Sequence, residues 1–276
     1  MKKRFALLMA GAMMVSVLAA GCGGNSGKQE GSAAGSGTAD KTTFTVGFDA
    51  NFPPYGYKDE NGEYVGFDLD LAAEVCERNG WELKKQPIEW SAKEMELSSG
   101  AIDCIWNGFT INGLEDKYCW SEPYVDNSQV FLIQKDSGIE TFDDLAGKTV
   151  LVQKDSAALK ALTDEEDHPD TTKLAKTFGD MIEIADYESA IMELEAGSAD
   201  AIAIDIGVAK VKMAKNDKLA IMKDIITTEQ YGIGFKLGND ALRDKVQNTL
   251  NEMVEDGTFT KIAEKWELTD AVCLGK

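Results

Sequence analysis

The sequence has very few histidine and cysteine residues, the types that often carry nucleophilic catalysis or bind transition metals. Its 276 residues include one histidine and five cysteines, and no two cysteines have the C-x-x-C spacing of a metal site. The histidine, His168, lies in the acidic stretch D-E-E-D-H-P-D, which favours a surface loop residue over a catalytic base. No serine–histidine or cysteine–histidine dyad can be assembled. The sequence therefore offers no nucleophile–base pair and no metal-type cysteine spacing, and we expect no metal and no cofactor.

Cysteine usage bears on the redox compartment. Four cysteines lie beyond residue 22, an even number that permits disulfides in an exported protein. Their spacing is not that of a small stapled scaffold. We favour buried free thiols and leave disulfide pairing open for Cys76, Cys104, Cys119 and Cys273.

Positive charge is also scarce. Lysine and arginine together number 28 against 48 aspartate and glutamate residues, which gives a net charge of -20. A balance of this sign argues against binding to nucleic acid or to an anionic lipid surface. It is compatible with an exported protein but identifies no ligand.

Only the amino terminus carries a long apolar run. Basic residues 2–4 precede the apolar residues 5–17, and the segment ends in L-A-A-G-C at Cys22. This pattern predicts a lipoprotein signal peptide over residues 1–22, since the run is short for a membrane span of about 20 residues. Lipidation of Cys22 would anchor the protein to the cell membrane from outside the cytoplasm. A secretory peptide with an incidental cysteine is the alternative.

Residues 23–40 are rich in glycine, serine and alanine, with no apolar periodicity. Such a composition cannot bury enough surface to offset chain entropy, so it predicts a flexible linker. About 235 residues then remain, enough for one large domain or two small ones.

Strand and helix patterns alternate through those residues. Apolar strand patterns at 44–48, 83–88 and 101–106 are separated by helix patterns at 66–80 and 92–97. This alternation predicts a parallel α/β sheet. We expect Asp68 or Asp70 to cap the first helix.

The alternation of strand and helix patterns continues further along the chain. We expect strands at 149–153, 200–204 and 231–236, and helices at 187–196 and 240–255.

The stretch after residue 106 provides candidate ligand contacts. In open α/β sheets, ligands bind beyond the carboxyl ends of the strands. Gly108 lets a ligand approach the backbone, while Asn107 and Thr110 offer short hydrogen-bonding side chains. An ordinary strand-to-loop turn is the alternative for this stretch.

Three further places offer candidate contacts. Two prolines stiffen the loop that carries Phe52 and Tyr55, although core packing is an equal alternative for Tyr55. Ser156 stands at a predicted helix start, where free N–H groups favour anions, or it is a plain helix cap. Asp205 follows the strand at 200–204 directly, which favours a functional carboxylate.

In order along the chain, these segments resemble the family 3 bacterial extracellular solute-binding proteins, the polar amino-acid binders of ABC importers. The matching pieces include V-G-F-D-A-N-F-P-P-Y (46–55), G-F-D-L-D-L-A (66–72), W-S-E-P-Y (120–124), A-G-S-A-D-A-I (196–202) and D-G-T-F-T-K-I-A-E-K-W (256–266).

The resemblance implies a periplasmic-binding-protein-like (type II) α/β fold, in which two lobes close about a hinge. It implies a first lobe from residues 41–126 plus 229–276 and a second lobe from 127–228. The binding residues carried over from the family are Asp49, Phe52 and Trp90 for the ligand side chain, Asn107, Gly108 and Thr110 for its backbone, Ser156 and Ala157 for its carboxylate, and Asp205 for its ammonium group.

The sequence departs from the family at one place. Most members have an arginine shortly after the G-x-T motif that binds the ligand carboxylate, whereas this chain has N-G-L-E-D around Leu114 and no arginine between Arg78 and Arg243. Either Lys117 or the helix start at Ser156 compensates, or the ligand is not an α-amino acid. The acidic residues near the implied cleft, which are Asp49, Glu89 and Asp205, favour a cationic or amine ligand.

The resemblance therefore implies a monomeric substrate-binding lipoprotein of an ABC importer, with permease subunits as partners and an amino acid or small amine as ligand. It also implies that the protein is not an enzyme. Two alternatives stay open. One is a lipoprotein that presents ligand to a receptor. The other is an enzyme like cyclohexadienyl dehydratase, which would need a placed general acid and basic groups.

Overall fold

The computed structural model describes residues 42–276. The predicted signal peptide, the lipidation site Cys22 and the predicted linker lie outside the described residues. No helix of residues 42–276 is long and apolar enough to cross a membrane.

The described chain alternates strands and helices. The strands are β1 Thr43–Phe48, β2 Asn51–Phe52, β3 Gly56–Lys58, β4 Tyr64–Val65, β5 Glu82–Pro87, β6 Cys104–Thr110, β7 Cys119–Trp120, β8 Val125–Gln134, β9 Thr149–Gln153, β10 Asp180–Ile184, β11 Ala201–Asp205 and β12 Leu219–Phe235. The helices are α1 Phe67–Asn79, α2 Lys93–Ser99, α3 Ala157–Thr163, α4 Pro169–Ala175, α5 Tyr187–Ala196, α6 Ile206–Lys215, α7 Asp240–Glu255 and α8 Thr258–Lys265.

Nine of these strands form a single mixed sheet. Its order is β10-β9-β11-β8-β12-β6-β1-β5, with β7 paired to β12. We call β1, β5 and β6 with α1, α2, α7 and α8 the β1 half, and β9, β10 and β11 with α3 to α6 the β9 half.

Within each half the neighbouring strands are parallel. The prediction of a parallel sheet is wrong for the middle, because β8 and β12 cross between the halves as an antiparallel pair.

The helix ends follow local sequence signals. Gly80 and Gly197 end α1 and α5 in the left-handed conformation, with φ of 67° and 73°. The prediction that Asp68 or Asp70 caps α1 is wrong, since Gly66 stands at the cap position and no side chain bonds there. Asp68 instead reaches across to the Gly108 amide, and Asp70 bonds to Lys265.

β6 starts later and runs further than its apolar pattern indicates. The predicted strand at 101–106 is Cys104–Thr110 in the structure, so Asn107, Gly108 and Thr110 lie in the strand and not in a loop. The pairing with β1 ends at Ile105, and beyond it Phe109 and Thr110 pair with β12. A second neighbour therefore extends the strand past the point where its apolar run stops.

β12 is likewise longer than predicted. The pattern indicated a strand at 231–236, yet the strand begins at Leu219. Its first part contains polar residues and two register shifts against β8, at Ile221/Ile225 and Ile225/Thr227. Pairing with β8 maintains the strand where no apolar alternation marks it.

The cores fill both faces of the sheet with aromatic and branched side chains. One large buried cluster extends from Phe44 in β1 to Leu151 in β9, and a second lies in the β9 half around Phe131. The four cysteines of the described chain are not joined in disulfides; Cys76, Cys104 and Cys119 are buried and Cys273 is half-buried.

Candidate functional site

Two carboxylates lie side by side where the halves meet. Asp205 ends β11, and Glu229 lies in β12; each residue is 5% exposed. Both are adjacent to β8, whose Asn127 is the register partner of Glu229 and whose Gln129 is that of Asp205. The placement of Asp205 at the carboxyl end of a buried strand agrees with the sequence prediction.

The same two amides bond to both carboxylates. Asn127 Nδ2 donates to Asp205 Oδ1 at 2.9 Å and to Glu229 Oε1 at 2.6 Å. Gln129 Nε2 donates to the same two oxygens at 2.7 and 2.6 Å. Tyr231 and Tyr187 add hydroxyl donors to Asp205. These donors leave the pair of negative charges uncompensated, because amides and neutral hydroxyls carry no net charge.

Burial favours the protonated form of both carboxylates. Burial raises the pKa of Glu229 to about 8, the negative charge of Asp205 adds to the rise, and the amides oppose it. Burial also raises the pKa of Asp205 above its usual value, against the lowering effect of Tyr231, Gln129 and Tyr187. No lysine, arginine or histidine nitrogen of residues 42–276 lies within 4 Å of either carboxylate. The arrangement can therefore accept a cation or hold a proton.

A third buried carboxylate bridges the halves. Asp49, directly after β1, accepts from Gln153 Nε2 of β9 at 2.7 Å and from the Asn51 amide at 2.8 Å. The Asp49 amide in turn donates to Asn107 Oδ1 at 2.9 Å. Burial raises the pKa of Asp49 to about 6. Asn107 Nδ2 is buried without a hydrogen-bond partner in the described chain.

Aromatic side chains enclose this region. Phe52 is 6% exposed and lies 5.7 Å from the Tyr55 ring and 6.0 Å from the Tyr187 ring, between centroids. Tyr55 is 1% exposed and meets Tyr231 edge-on at 5.3 Å. Core packing, the alternative stated for Tyr55, is thus what its burial supports.

Gly108 brings the backbone close to two aromatic rings. Its φ is 57°, and a Cβ on it would lie 2.7 Å from Phe52 and 3.0 Å from Tyr231. Its amide donates to Asp68 Oδ2 at 2.8 Å, an oxygen that also accepts from Tyr124 at 2.9 Å. The Gly108 N–H is therefore engaged by Asp68 in this structure.

A cavity of about 660 Å³ opens beside the carboxylate pair. It joins the remaining predicted residues, since Trp90, Thr110, Ser156 and Ala157 all line it, and Glu229 does so too. Thr110 also hydrogen-bonds to Glu229, which links the cavity wall to the buried pair. The structure therefore divides the predicted site into a buried group around Asp205 and a cavity group around Ser156.

The cavity walls carry individual features that bear on binding. Trp90 packs edge-on against Phe109 at 5.5 Å. Ser156 Oγ accepts from the Leu159 amide at 3.1 Å, the geometry of a helix cap. Leu114, at the place of the missing family arginine, lines the cavity with Lys93, Lys117 and Lys160. His168 lines it as well; it is half-buried and lies in the loop before α4, which agrees with the prediction of a surface loop residue.

A larger cavity of about 990 Å³ is lined by Gly207, Lys210 and Trp266, among other residues, and it also reaches Glu229. Only Tyr55 of the predicted site residues lines it. We therefore take the cavity around Ser156 as the candidate site, because four of the predicted residues line it.

Several residues of the site had no clear signal in the sequence. Glu229, Asn127 and Gln129 belong to two polar strands, and Gln153 ends β9 as a single amide. The one available signal was a polar run beside an apolar one in β8 and β12, at the place where the chain changes halves. Lys93 opens α2 and resembles any surface lysine in sequence.

Comparisons with known proteins agree on one family. The model of the bacterial extracellular solute-binding proteins, family 3, matches residues 44–269. The ABC transporter arginine-binding protein 1 of Escherichia coli (strain K12) is 29% identical over 238 residues, covering 84% of this chain and 93% of that protein. The L-cystine-binding protein TcyJ of the same strain is 28% identical over 232 residues, covering 82% and 83%.

A solved structure is similar to this chain along most of its length. An ABC uptake transporter substrate-binding protein from Streptococcus pneumoniae with bound histidine has a TM-score of 0.75 and 31% identity, covering 81% of this chain and 92% of that one. The sheet described above is accordingly the two-lobed α/β fold of amino-acid-binding proteins. The chain belongs to the bacterial extracellular solute-binding proteins, family 3.

Proposed function

We propose that this protein captures a polar amino acid in the cavity beside Glu229 and delivers it to the permease of an ABC importer. The observation that carries the proposal is the buried pair of Asp205 and Glu229, which has no cationic partner among the described residues and reaches the cavity through Glu229. A buried charge needs a partner, and a ligand ammonium group supplies one.

The remaining predicted residues have roles consistent with this pose. Thr110 and Ser156 line the cavity from the β1 half and the β9 half, so a ligand between them contacts both. Trp90 offers an aromatic surface to the ligand side chain. Asp49, Phe52, Asn107 and Gly108 act behind the cavity wall, where their burial fixes the wall's shape.

Lobes and membrane attachment complete the proposal. Residues 41–126 with 229–276 form one lobe, residues 127–228 form the other, and closure about β8 and β12 encloses the ligand. A lipid on Cys22 anchors the monomeric protein outside the cytoplasm, and the segment 23–40 serves as its tether. The protein binds its ligand without converting it.

A ligand screen tests the binding. We expect one or a few polar amino acids, from a set of the twenty standard ones with cystine and simple amines, to raise the melting temperature. Ligand at a hundred times its Kd adds about 2.7 kcal/mol to the unfolding free energy. Mass spectrometry should recover the ligand unchanged. A screen without any binder, or a ligand recovered as a different compound, would contradict the proposal.

Asp205→Asn tests the ammonium contact in particular. Loss of one charged partner from an enclosed pair costs about 2–5 kcal/mol, so we expect the Kd in calorimetry to rise roughly thirtyfold or more. The control is Asp224→Asn, which removes an exposed carboxylate from β12 and should leave the Kd unchanged. Circular dichroism establishes that both variants are folded. Parent-like affinity of Asp205→Asn would remove the basis for an ammonium ligand.

A further inference from the structure

Three lysines line the candidate cavity, and their surroundings differ. Lys160 lies 3.5 Å from Asp167 and 4.0 Å from Asp164, so carboxylates of its own half compensate its charge. Lys117 is exposed, and water solvates its ammonium group. Lys93 is only 7% exposed and has no carboxylate within 4 Å among residues 42–276.

The partners of Lys93 are neutral. Its Nζ donates to Trp90 O at 3.3 Å and to Asp155 O at 3.1 Å, and it lies 4.9 Å from the centre of the Trp90 ring. An ammonium group has three donors, so one remains available. The nearest acidic neighbour in sequence, Glu94, accepts a hydrogen bond from Tyr118 at 3.1 Å.

Burial without a carboxylate is costly for an ammonium group. Burial lowers the pKa of Lys93 to about 8, although Asp155 and Glu94 oppose this effect at longer range. The group thus lines a cavity with one free donor and a charge that only neutral atoms contact. An anion that enters the cavity removes that cost.

We propose that Lys93 binds the ligand carboxylate, in place of the arginine that is missing around Leu114. The inference rests on the proposed function, and it resolves the choice left open by the sequence in favour of an α-amino acid over a simple amine. Lys93 Nζ donates to the backbone oxygen of Asp155, the residue before Ser156. The ligand carboxylate therefore lies between the start of α2 and the start of α3. Glu229 and Asp205 take the ammonium group at the other wall.

The test compares an amino acid with its carboxamide, which keeps the ammonium group and side chain but removes the negative charge. The probes are L-arginine with L-argininamide and L-histidine with L-histidinamide, used on the full chain by calorimetry. We expect the parent protein to bind the acid roughly ten- to a hundredfold more tightly than the amide, the range for one charge-assisted contact. This comparison needs no variant.

Variants then assign the preference to Lys93. Lys93→Met should raise the Kd of the acid roughly ten- to a hundredfold and change the Kd of the amide by less than about threefold. Lys93→Arg keeps the charge and should retain the preference for the acid. The control Lys84→Met removes an exposed lysine of β5 that does not line the cavity, and it should bind acid and amide as the parent does.

The outcomes separate the two proposals. Equal weakening of acid and amide by Lys93→Met assigns Lys93 to structural tethering and overturns this inference, while the proposed function stands. Equal binding of acid and amide by the parent protein also overturns this inference and leaves the proposed function in place. Failure of every amino acid to bind, when a simple amine binds, overturns both.

Discussion

At the scale of single residues, the buried Asp68 shows how a carboxylate can serve structure and still respond to pH. Its Oδ2 accepts from the Gly108 amide and the Tyr124 hydroxyl, while Oδ1 is buried without a partner in the described chain. Burial raises the pKa of Asp68 to about 7, and the two hydrogen bonds only partly oppose this effect. The group therefore holds a proton more readily than an exposed aspartate does, beneath the strand that carries Gly108.

Stability should fall as the pH rises from 5 to 8. The pKa of Asp68 is above its unfolded value of 3.8, so its contribution is present at low pH and is lost as the pH passes about 7. The raised pKa values of Asp49, about 6, and Glu229, about 8, act in the same direction. Urea unfolding of the ligand-free protein at pH 5 and pH 8 measures the loss.

Asp68→Asn isolates one part of this effect. An amide oxygen can still accept from Gly108 and Tyr124 but carries no charge, so the loss between pH 5 and 8 should shrink by about 2–3 kcal/mol. The control Asp70→Asn, two residues along α1, removes a carboxylate that contacts Lys265 and Trp266. The free energy of unfolding of Asp70→Asn should fall between pH 5 and pH 8 by as much as that of the parent. Stability that increases toward pH 8, or an undiminished loss in Asp68→Asn, would refute this assignment.

At the scale of elements, β6 shows what local pattern can and cannot predict. Its apolar residues identified a buried strand, because side chains covered on both faces leave a continuous apolar run. Its continuation through Gly108 depends on β12, a partner more than 100 residues away, and no local pattern encodes that pairing. The helices α5 and α7 were predicted to the residue because their periodicity and end signals are local.

The site divides in the same way. Asp205 was predicted because a carboxylate after an apolar strand stands out in one stretch of sequence. Glu229 and Gln129 were not, since their meaning comes from the register of β8 against β11 and β12. Lys93 needed the cavity to distinguish it from the other lysines of the chain.

Gly108→Ala should destabilise the protein more than Gly100→Ala does. Both Gly108 and Gly100 have positive φ, 57° and 80°, which costs alanine about 1–2 kcal/mol. A Cβ on Gly100 meets nothing within 4 Å, whereas one on Gly108 lies 2.7 Å from Phe52. Urea unfolding should therefore show about 1–3 kcal/mol of extra loss for Gly108→Ala, the usual cost of overpacking. Equal losses in the two variants would mean that Phe52 moves aside freely.

At the scale of the whole molecule, two long strands connect the halves and a few polar contacts cross the cavity between them. Gln153 of the β9 half donates to Asp49 of the β1 half. Lys93 donates to Asp155 O, and Lys160 donates to Gly113 O at 3.2 Å. A ligand that fills the cavity adds further contacts between the halves.

The last prediction concerns closure. A ligand held by Thr110 on one side and Ser156 on the other adds contacts across the cavity, and binding energy of this kind favours the closed arrangement. Small-angle scattering should therefore give a smaller radius of gyration at saturating amino acid than for the free protein. Asp205→Asn at the same amino-acid concentration is the matched control, since it should bind too weakly to shift the population. An unchanged radius in the saturated parent, with binding established by calorimetry, would show that capture occurs without movement of the lobes.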